Sequence, residues 1–363
     1  MLNNQILLSY GDQAKKITKE LLKKIAVENE LKKEDLIALK PNLINASTSE
    51  KGATTDPQIA AAVIEYLQGK GFVNIIMIEG SWVGADTDNA FEKCGYQELA
   101  QQYEIPLYNL QKSSYKKKKV LDMEIEIAEI ALKVDYLINL PVLKGHCQTN
   151  LTCALKNLKG CLSDQEKRRF HRIGLHKSIA YLNKALKQDL IIVDGIYGDL
   201  DFEEGGNPVK MNRVIAAKDP VLLDSYAAEL IGYAISDIPY LKISAEIGVG
   251  NNNLKEAEII EINKDQASEI NYNSSKIKQL TNRIKAKNAC SACYGSLLHA
   301  LKRIEEKGKL NQINKTLYIG QAYQNKELKG LGIGSCCSQA VEFLNGCPPS
   351  AKEIIDFLTS QEM

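Results

Sequence analysis

Short apolar runs recur along the chain, each bounded by polar or turn-forming residues. "QILLSY", "DLIALK" (35–40), "NIIMIEG" (74–80), "DYLINL" (135–140), "DLIIVDG" (189–195) and "RVIAAKD" (213–219) have the length and β-branched content of buried strands. Longer amphipathic stretches separate most of them. This alternation predicts an α/β fold: a mostly parallel open sheet flanked by helices. The clearest helix is "TTDPQIAAAVIEYLQGKG", where Thr55 or Asp56 can cap the start, Pro57 suits the first turn and Gly69 or Gly71 the end. Its residues Ile59, Val63, Ile64 and Leu67 share one face. "LDSYAAELIGY" follows the 213–219 strand in the same way, and "TNLTCALKNLKGCL" (149–162) reads as a helix with Leu151, Leu155 and Leu158 on one side.

Residues 236–285 are turn-rich, with one strand pattern at 258–262. The pattern therefore divides the chain into an α/β core over 1–235, a connecting region over 236–285 and a small cysteine-rich α/β segment over 286–363. In that last segment "ACYGSLLHALKRIEEKGK" and "PPSAKEIIDFL" read as helices and "KTLYIGQAY" as a strand.

Charge changes the picture little. The 363 residues carry 46 basic and 45 acidic side chains, a formal charge of +1, which points away from a nucleic-acid partner. The lysine run in "SSYKKKKV" (113–119) reads as a solvated loop or edge strand. No basic, apolar leader opens the chain and no window reaches the ~20 apolar residues of a membrane span, so the expected compartment is the cytoplasm. Nine cysteines in a reducing compartment are expected as buried thiols, metal ligands or redox groups rather than disulfides.

In open parallel sheets, ligands bind outside the carboxyl ends of the strands. Those positions are polar here: Lys40 and Asn42 after the second strand, Glu79-Gly80-Ser81 after the third, Lys144 and His146 in "PVLKGH", Asp194, then Lys218 and Asp219. Lys156, Asn157 and Lys159 crowd the end of the 149–162 stretch before Gly160. Such a rim suits a small anionic substrate, with Lys40, Asn42, Lys156, Asn157, Asp194 and Asp219 as binding residues and Lys144, His146 and His171 as candidate catalytic groups. His171 and His176 are five apart, which does not align two ligands on one helical face.

"LIALKPNLI", "TTDPQIAAAVIEYL", "FEKCGYQELA", "VDYLINLPVLKGHCQTNLTCALKNLKG", "DLIIVDGI" and "RVIAAKDPVLLDSYAAELIGY", in this order, resemble the family catalogued as domain of unknown function 362 over roughly residues 35–233. The resemblance implies an iron–sulfur module beside the core, as many members carry one. Theirs is often a ferredoxin-type run of C-x2-C-x2-C-x3-C-P, which this chain lacks.

The C-terminal cysteines form a different pattern. Cys290 and Cys293 are followed by Cys336 and Cys337, then Cys347, as C-x2-C-x42-C-C-x9-C. Each sits at a turn or helix start, where free amides favour bound negative charge. Four thiolates suffice for one [4Fe–4S] cluster, with Cys336 and Cys337 equivalent at this level. Structural zinc is the alternative, although only one short knuckle is present. Cys147, Cys153 and Cys161 belong to the core motif region and read as packing or near-site residues.

Three functions follow: an iron–sulfur redox enzyme acting on an anion at the rim, with a redox protein as partner; a non-catalytic electron carrier or assembly protein; or a non-redox enzyme with a structural cluster. "GLGIG" lacks the strand and helix register of a dinucleotide site.

Overall fold

The structure, a computed structural model, describes residues 1–146, 148–201, 203, 205, 207–270 and 280–360. Cys147 lies outside the described residues. The chain divides into two units, one formed by residues 1–170 and 175–272, the other by 171–174 and 273–363.

The first unit is built on strands β1 (Gln5–Tyr10), β2 (Ile37–Pro41), β3 (Ile75–Glu79), β4 (Leu107–Asn109), β5 (Tyr115–Val120), β6 (Met123–Ala128), β7 (Tyr136–Leu140), β8 (Lys144–His146), β9 (Asn150–Thr152), β10 (Leu190–Asp199), β11 (Pro208–Ala217) and β12 (Glu258–Glu261). Eight of them form one sheet in the order β12-β1-β11-β10-β7-β2-β3-β4. Pairing is parallel from β10 through β7, β2 and β3 to β4, and between β1 and β12. Only β11 runs against its neighbours, β1 and β10.

That reversal has a local cause. A parallel return needs a crossover of about a dozen residues or more, usually helical. The connection from β10 to β11 spans only residues 200–207, too few for such a crossover, so the chain doubles back. Consequently the residues after β11 emerge at the end of the sheet opposite those after β10.

β2, β3 and β7 are buried along their whole length, as expected for parallel strands covered on both faces. Alternate side chains divide between two cores. Ala38, Ile76 and Ile78 pack on one face with Leu155, Leu182 and Leu223; Ile37, Leu39, Ile75 and Met77 pack on the other with Leu21, Ile59 and Val63. The period-two division explains why these runs are continuously apolar in sequence.

Residues 236–270 belong with this sheet rather than forming a separate connector. The helix Pro239–Glu246 buries Tyr240 and Leu241, and β12 adds an outer strand to β1. The lysine run is β5 of the β5–β6 hairpin, where Lys117 faces Glu126 and Lys119 faces Glu124 across the ladder. Those cross-strand pairs set carboxylates opposite two of the four lysines.

The second unit holds a parallel sheet of β13 (Ile284–Ala286), β14 (Leu317–Ile319), β15 (Leu328–Ile333) and β16 (Ala340–Leu344), in that order. Helices Ser291–Glu306 and Ala351–Thr359 accompany it. The second helix begins after Pro348 and Pro349, with Ser350 and Glu353 forming a reciprocal cap.

The helix Pro57–Gly69 starts as its sequence demands: Asp56 accepts a hydrogen bond from the Gln58 amide at 2.8 Å, and Pro57 takes the first turn. Asp56→Ala is expected to cost about 1 kcal/mol in urea unfolding, the usual loss of an N-cap.

Candidate functional site

The parallel strands β2 and β3 end side by side, which brings Lys40 against Glu79. Lys40 Nζ donates to Glu79 Oε2 at 2.8 Å, to the Pro41 carbonyl at 3.1 Å and to Asn157 Oδ1 at 3.3 Å. The two side chains are 0% and 3% exposed, so the pair is removed from water. Glu79 Oε1 in turn accepts from the Gly80 amide at 2.8 Å. A Cβ on Gly160 would collide with Glu79 Oε1 and stand 2.7 Å from Lys40 Nζ, so a larger residue there would push the ion pair aside.

Asn157 links this pair to a chain of buried amides. Asn42 Nδ2 donates to Asn157 Oδ1 and Asn157 Nδ2 donates to Asn139 Oδ1, both at 2.7 Å. Asn139 Nδ2 continues to Gln188 Oε1 at 2.6 Å, and Gln188 Nε2 to Asn183 Oδ1 at 2.7 Å. Among the described residues Asn42 Oδ1 is buried and accepts nothing.

The segment bearing Asn157 is not the continuous helix expected over 149–162. β9 pairs antiparallel with β8, a single α-turn follows at Ala154–Asn157, and a 3-10 turn covers Leu158–Cys161. Asn150 at φ 61 and Cys153 at φ −153, ψ −135, both outside the helical region, prevent a helix from starting earlier. Asp224 then caps the turn, accepting from the Ala154 amide at 2.8 Å and the Leu155 amide at 3.1 Å.

A second cluster forms round Glu203. Lys156 Nζ contacts Glu203 Oε1 and donates to Thr152 Oγ1 at 3.0 Å, while His146 Nε2 lies 3.1 Å from Glu203 Oε2. His146 Nδ1 accepts from the amides of Gln148 and Thr149, each at 3.1 Å. That leaves the proton on Nε2, donated to Glu203, and the imidazole neutral. Burial, with the charge of Lys156, pushes the His146 pKa down to about 4, against the pull of Glu203. Burial alone would raise the Glu203 carboxyl, but the charge of Lys156 and the hydrogen bond from His146 hold it well below the ordinary range.

Further lysines adjoin this cluster. Burial and the charge of Lys156 bring Lys159 down to about 7. Lys167 donates to the carbonyls of Gly80 and Ser81 at 3.2 and 2.7 Å and to Asp164 at 3.3 Å; burial lowers its pKa too. Lys144, fully buried, donates to the Ala53 carbonyl at 2.6 Å.

Of the expected site residues, Lys40, Asn42 and Asn157 share one hydrogen-bonded group, and His146 and Lys156 share Glu203. Asp194 lies on the same rim but uses its oxygens on the amides of Asp56 and Ile196, at 2.8 and 2.9 Å, with burial pushing its pKa up to about 7. Asp219 does not belong to the rim. Because β11 is reversed, Asp219 sits at the other end of the sheet, where it caps the helix Pro220–Leu230. His171 occupies the last turn of the helix Asp164–Ile173 and groups with the second unit. Cys153 and Cys161 are buried in the core. Glu203, Lys167, Asn139 and Gln188 were not legible as site residues. Glu79 was, as the residue ending the strand next to that of Lys40.

In the second unit every strand points the same way, so the loops after β13, β15 and β16 leave one edge of the sheet. They carry the cysteines. Cys290 caps the helix Ser291–Glu306 and Cys293 lies in its first turn; Cys336 and Cys337 form the 3-10 turn after β15; Cys347 follows β16. Burial, and then the nearby sulfurs of Cys290, Cys347, Cys336 and Cys337, push Cys293 up to about 12. Burial, and then the sulfurs of Cys347 and Cys290, raise the Cys336 thiol as well. Cys337 instead packs into an apolar cluster with Tyr323 and Leu328, and is wholly buried. Gln321 and Gln324, after β14, direct their amides to Cys290 and Cys336 at 3.2 and 3.9 Å. A Cβ at Gly334, whose φ is 87, would stand 4.0 Å from Cys293 Sγ.

Cys290, Cys293, Cys336 and Cys347 are the thiols that could serve as ligands of a metal centre in this unit. Among the described residues no three His, Cys, Asp or Glu side chains are gathered closely enough to hold a single metal ion. Zn–S bonds of about 2.3 Å would place thiolates only ~3.8 Å apart.

The family model described as Domain of unknown function (DUF362) matches residues 37–229. A thylakoid-associated protein of Synechocystis sp. is 28% identical over 237 residues, which cover 61% of this chain and 70% of that protein. Among solved structures, the lactate racemase apoprotein from Thermoanaerobacterium thermosaccharolyticum aligns with TM-score 0.36 and 15% identity, over 52% of this chain and 50% of its own. A Thermotoga maritima protein aligns with TM-score 0.38 and 13% identity, over 65% and 60%. This chain thus spans between half and three fifths of those two structures' lengths. No helix among the described residues is long and apolar enough to cross a membrane.

The His146 arrangement sets a pH dependence. In the unfolded chain the ring takes a proton near its ordinary value of 6.5, but in the folded protein only near 4. Acidification between those values therefore favours the unfolded state. Nitrogen-15 NMR of labelled histidine should show a neutral Nε2–H ring at pH 6, and His146→Gln should flatten the loss of stability over that interval. Titration of His146 at an ordinary pH would contradict the hydrogen-bond pattern.

Proposed function

The chain belongs to the domain of unknown function 362 family, and from that premise we propose an iron–sulfur protein with an anion-handling core. In this reading Cys290, Cys293, Cys336 and Cys347 hold one [4Fe–4S] cluster, and an anionic small molecule is processed at the carboxyl ends of β2, β3 and β7. The observation that carries it is the gathering of those four thiols at one edge of a parallel sheet. Bound there, a cluster supplies single-electron chemistry.

The chain's own residues have distinct tasks. Gln321 and Gln324 aim N–H groups at Cys290 and Cys336, donors of the kind that tune a cluster's potential. Lys156 and Lys159 present positive charge to the anion. Lys159 Nζ, brought down to about 7, can release and regain a proton near neutrality. His146 spends Nδ1 on backbone amides and Nε2 on Glu203, so it orients that carboxylate rather than carrying protons itself. A protein that supplies or removes the electrons is the implied partner.

Protein purified without oxygen should be brown, contain about four irons per chain and bleach with dithionite. Cys336→Ser should abolish the colour, whereas Cys337→Ser should keep it. A colourless protein with one zinc per chain, or loss of iron on Cys337→Ser alone, would contradict this assignment.

A further inference from the structure

The buried amides behind the rim form a chain with only one possible direction. Asn139 Nδ2 donates to the Ala154 carbonyl at 3.0 Å as well as to Gln188, and Asn183 Nδ2 donates to the carbonyls of Leu155 and Ile179 at 2.8 and 2.9 Å. A backbone carbonyl can only accept, so these two side chains cannot turn over. Asn139 Oδ1 must then take the Asn157 amide, which leaves Asn157 Oδ1 to accept from Asn42 Nδ2 at 2.7 Å and from Lys40 Nζ at 3.3 Å. Turning Asn42 over would set two oxygens against each other.

The acceptor at the head of this chain is therefore fixed as Asn42 Oδ1, and among the described residues no group donates to it. The backbone of Asn42 is already used: its N–H donates to Thr55 Oγ1 at 2.8 Å and its carbonyl accepts from the Thr55 amide at 3.0 Å. The residue is 6% exposed and directly follows β2, at the strand end where ligands enter an open parallel sheet. A buried acceptor without a donor is costly, and donation down the chain by Nδ2 strengthens the oxygen as an acceptor. The head of the chain thus calls for a donor from outside it.

Chemistry restricts that donor. Glu79, the carboxylate of this hydrogen-bonded group, is engaged by Lys40 and by the Gly80 amide. An ammonium donated to Asn42 would be buried close to the Lys40 ammonium, which shares the Asn157 acceptor, with Glu79 already spent; a hydroxyl loses far less on leaving water. We infer that Asn42 is a specificity-determining residue, and that the anion taken at the rim carries a hydroxyl group whose O–H is donated to Asn42 Oδ1. The inference rests on the rim being the anion site proposed above, and adds the neutral group by which that anion is told from its unhydroxylated analogues.

The test uses the full-length protein prepared without oxygen and two series of near-isosteric probes at constant ionic strength: glycolate, acetate and glycine, and then 2-hydroxyethylphosphonate, ethylphosphonate and 2-aminoethylphosphonate. Calorimetry should show saturable binding of a hydroxylated member, about tenfold tighter than both other members of its series. The series that binds names the charged group. Asn42→Leu, in protein that keeps the cooperative unfolding of the unmodified chain, should bring that preference down to about onefold. Equal affinity across a series overturns the inference while leaving the anion site in place, and because that comparison uses the unmodified chain, a poorly folding variant cannot mask it. Preference for the amine overturns the hydroxyl assignment. Absence of saturable binding by all six probes removes the anion site and the inference with it. Hydroxyl discrimination by a protein lacking iron would sustain the inference while removing the redox reading.

Discussion

A lysine and a glutamate removed from water at the ends of two neighbouring strands fix the geometry of the core. Lys40 and Glu79 are buried together, so each depends on the other and on the groups that complete its hydrogen bonds. Breaking one partner would leave a buried charge without compensation, which costs roughly 3–5 kcal/mol. The surroundings follow from that dependence. Gly80 supplies an amide to Glu79, Gly160 leaves the space the pair occupies, and Asn157 accepts from Lys40 while ordering the amides of Asn42, Asn139, Gln188 and Asn183. The irregular backbone over 153–161, which carries Lys156 and Lys159, is held in place through Asn157.

The two units use one topological device for different chemistry. In both, parallel strands deliver consecutive loops to a single edge. In the first unit that edge collects lysines and amides; in the second it collects thiols. β11 shows what the device excludes. It runs against its neighbours, and Asp219, which follows it, falls at the far end of the sheet.

Much of the core was legible because continuous apolar runs of four to seven residues have few alternatives to buried strands. Lys40, Asn42, Glu79, Lys144 and His146 could be found from strand ends alone. Strand direction was not written in those runs, but the connection before β11 held a usable signal: residues 200–207 are too few for a crossover. The 149–162 stretch misled because its leucines recur at helical spacing, while Asn150 and Cys153 set a hairpin and a late helix start through backbone angles that composition does not show. Glu203 gave no signal, since its role arises from fold contacts with Lys156, 47 residues away, and with His146, farther still along the chain. Cys336 and Cys337 were indistinguishable as adjacent letters, and separate only when the 3-10 turn directs one toward the other thiols and the other into the apolar cluster.

The dependence of the core on its buried pair is most directly measured by a double-mutant cycle of Lys40→Met and Glu79→Leu in urea unfolding. Each single change should destabilise the protein by about 3 kcal/mol or more, and the double change by much less than the sum, because the second removes the charge stranded by the first. Single changes that cost under about 1 kcal/mol and add without coupling, as at independent surface sites, would contradict the account.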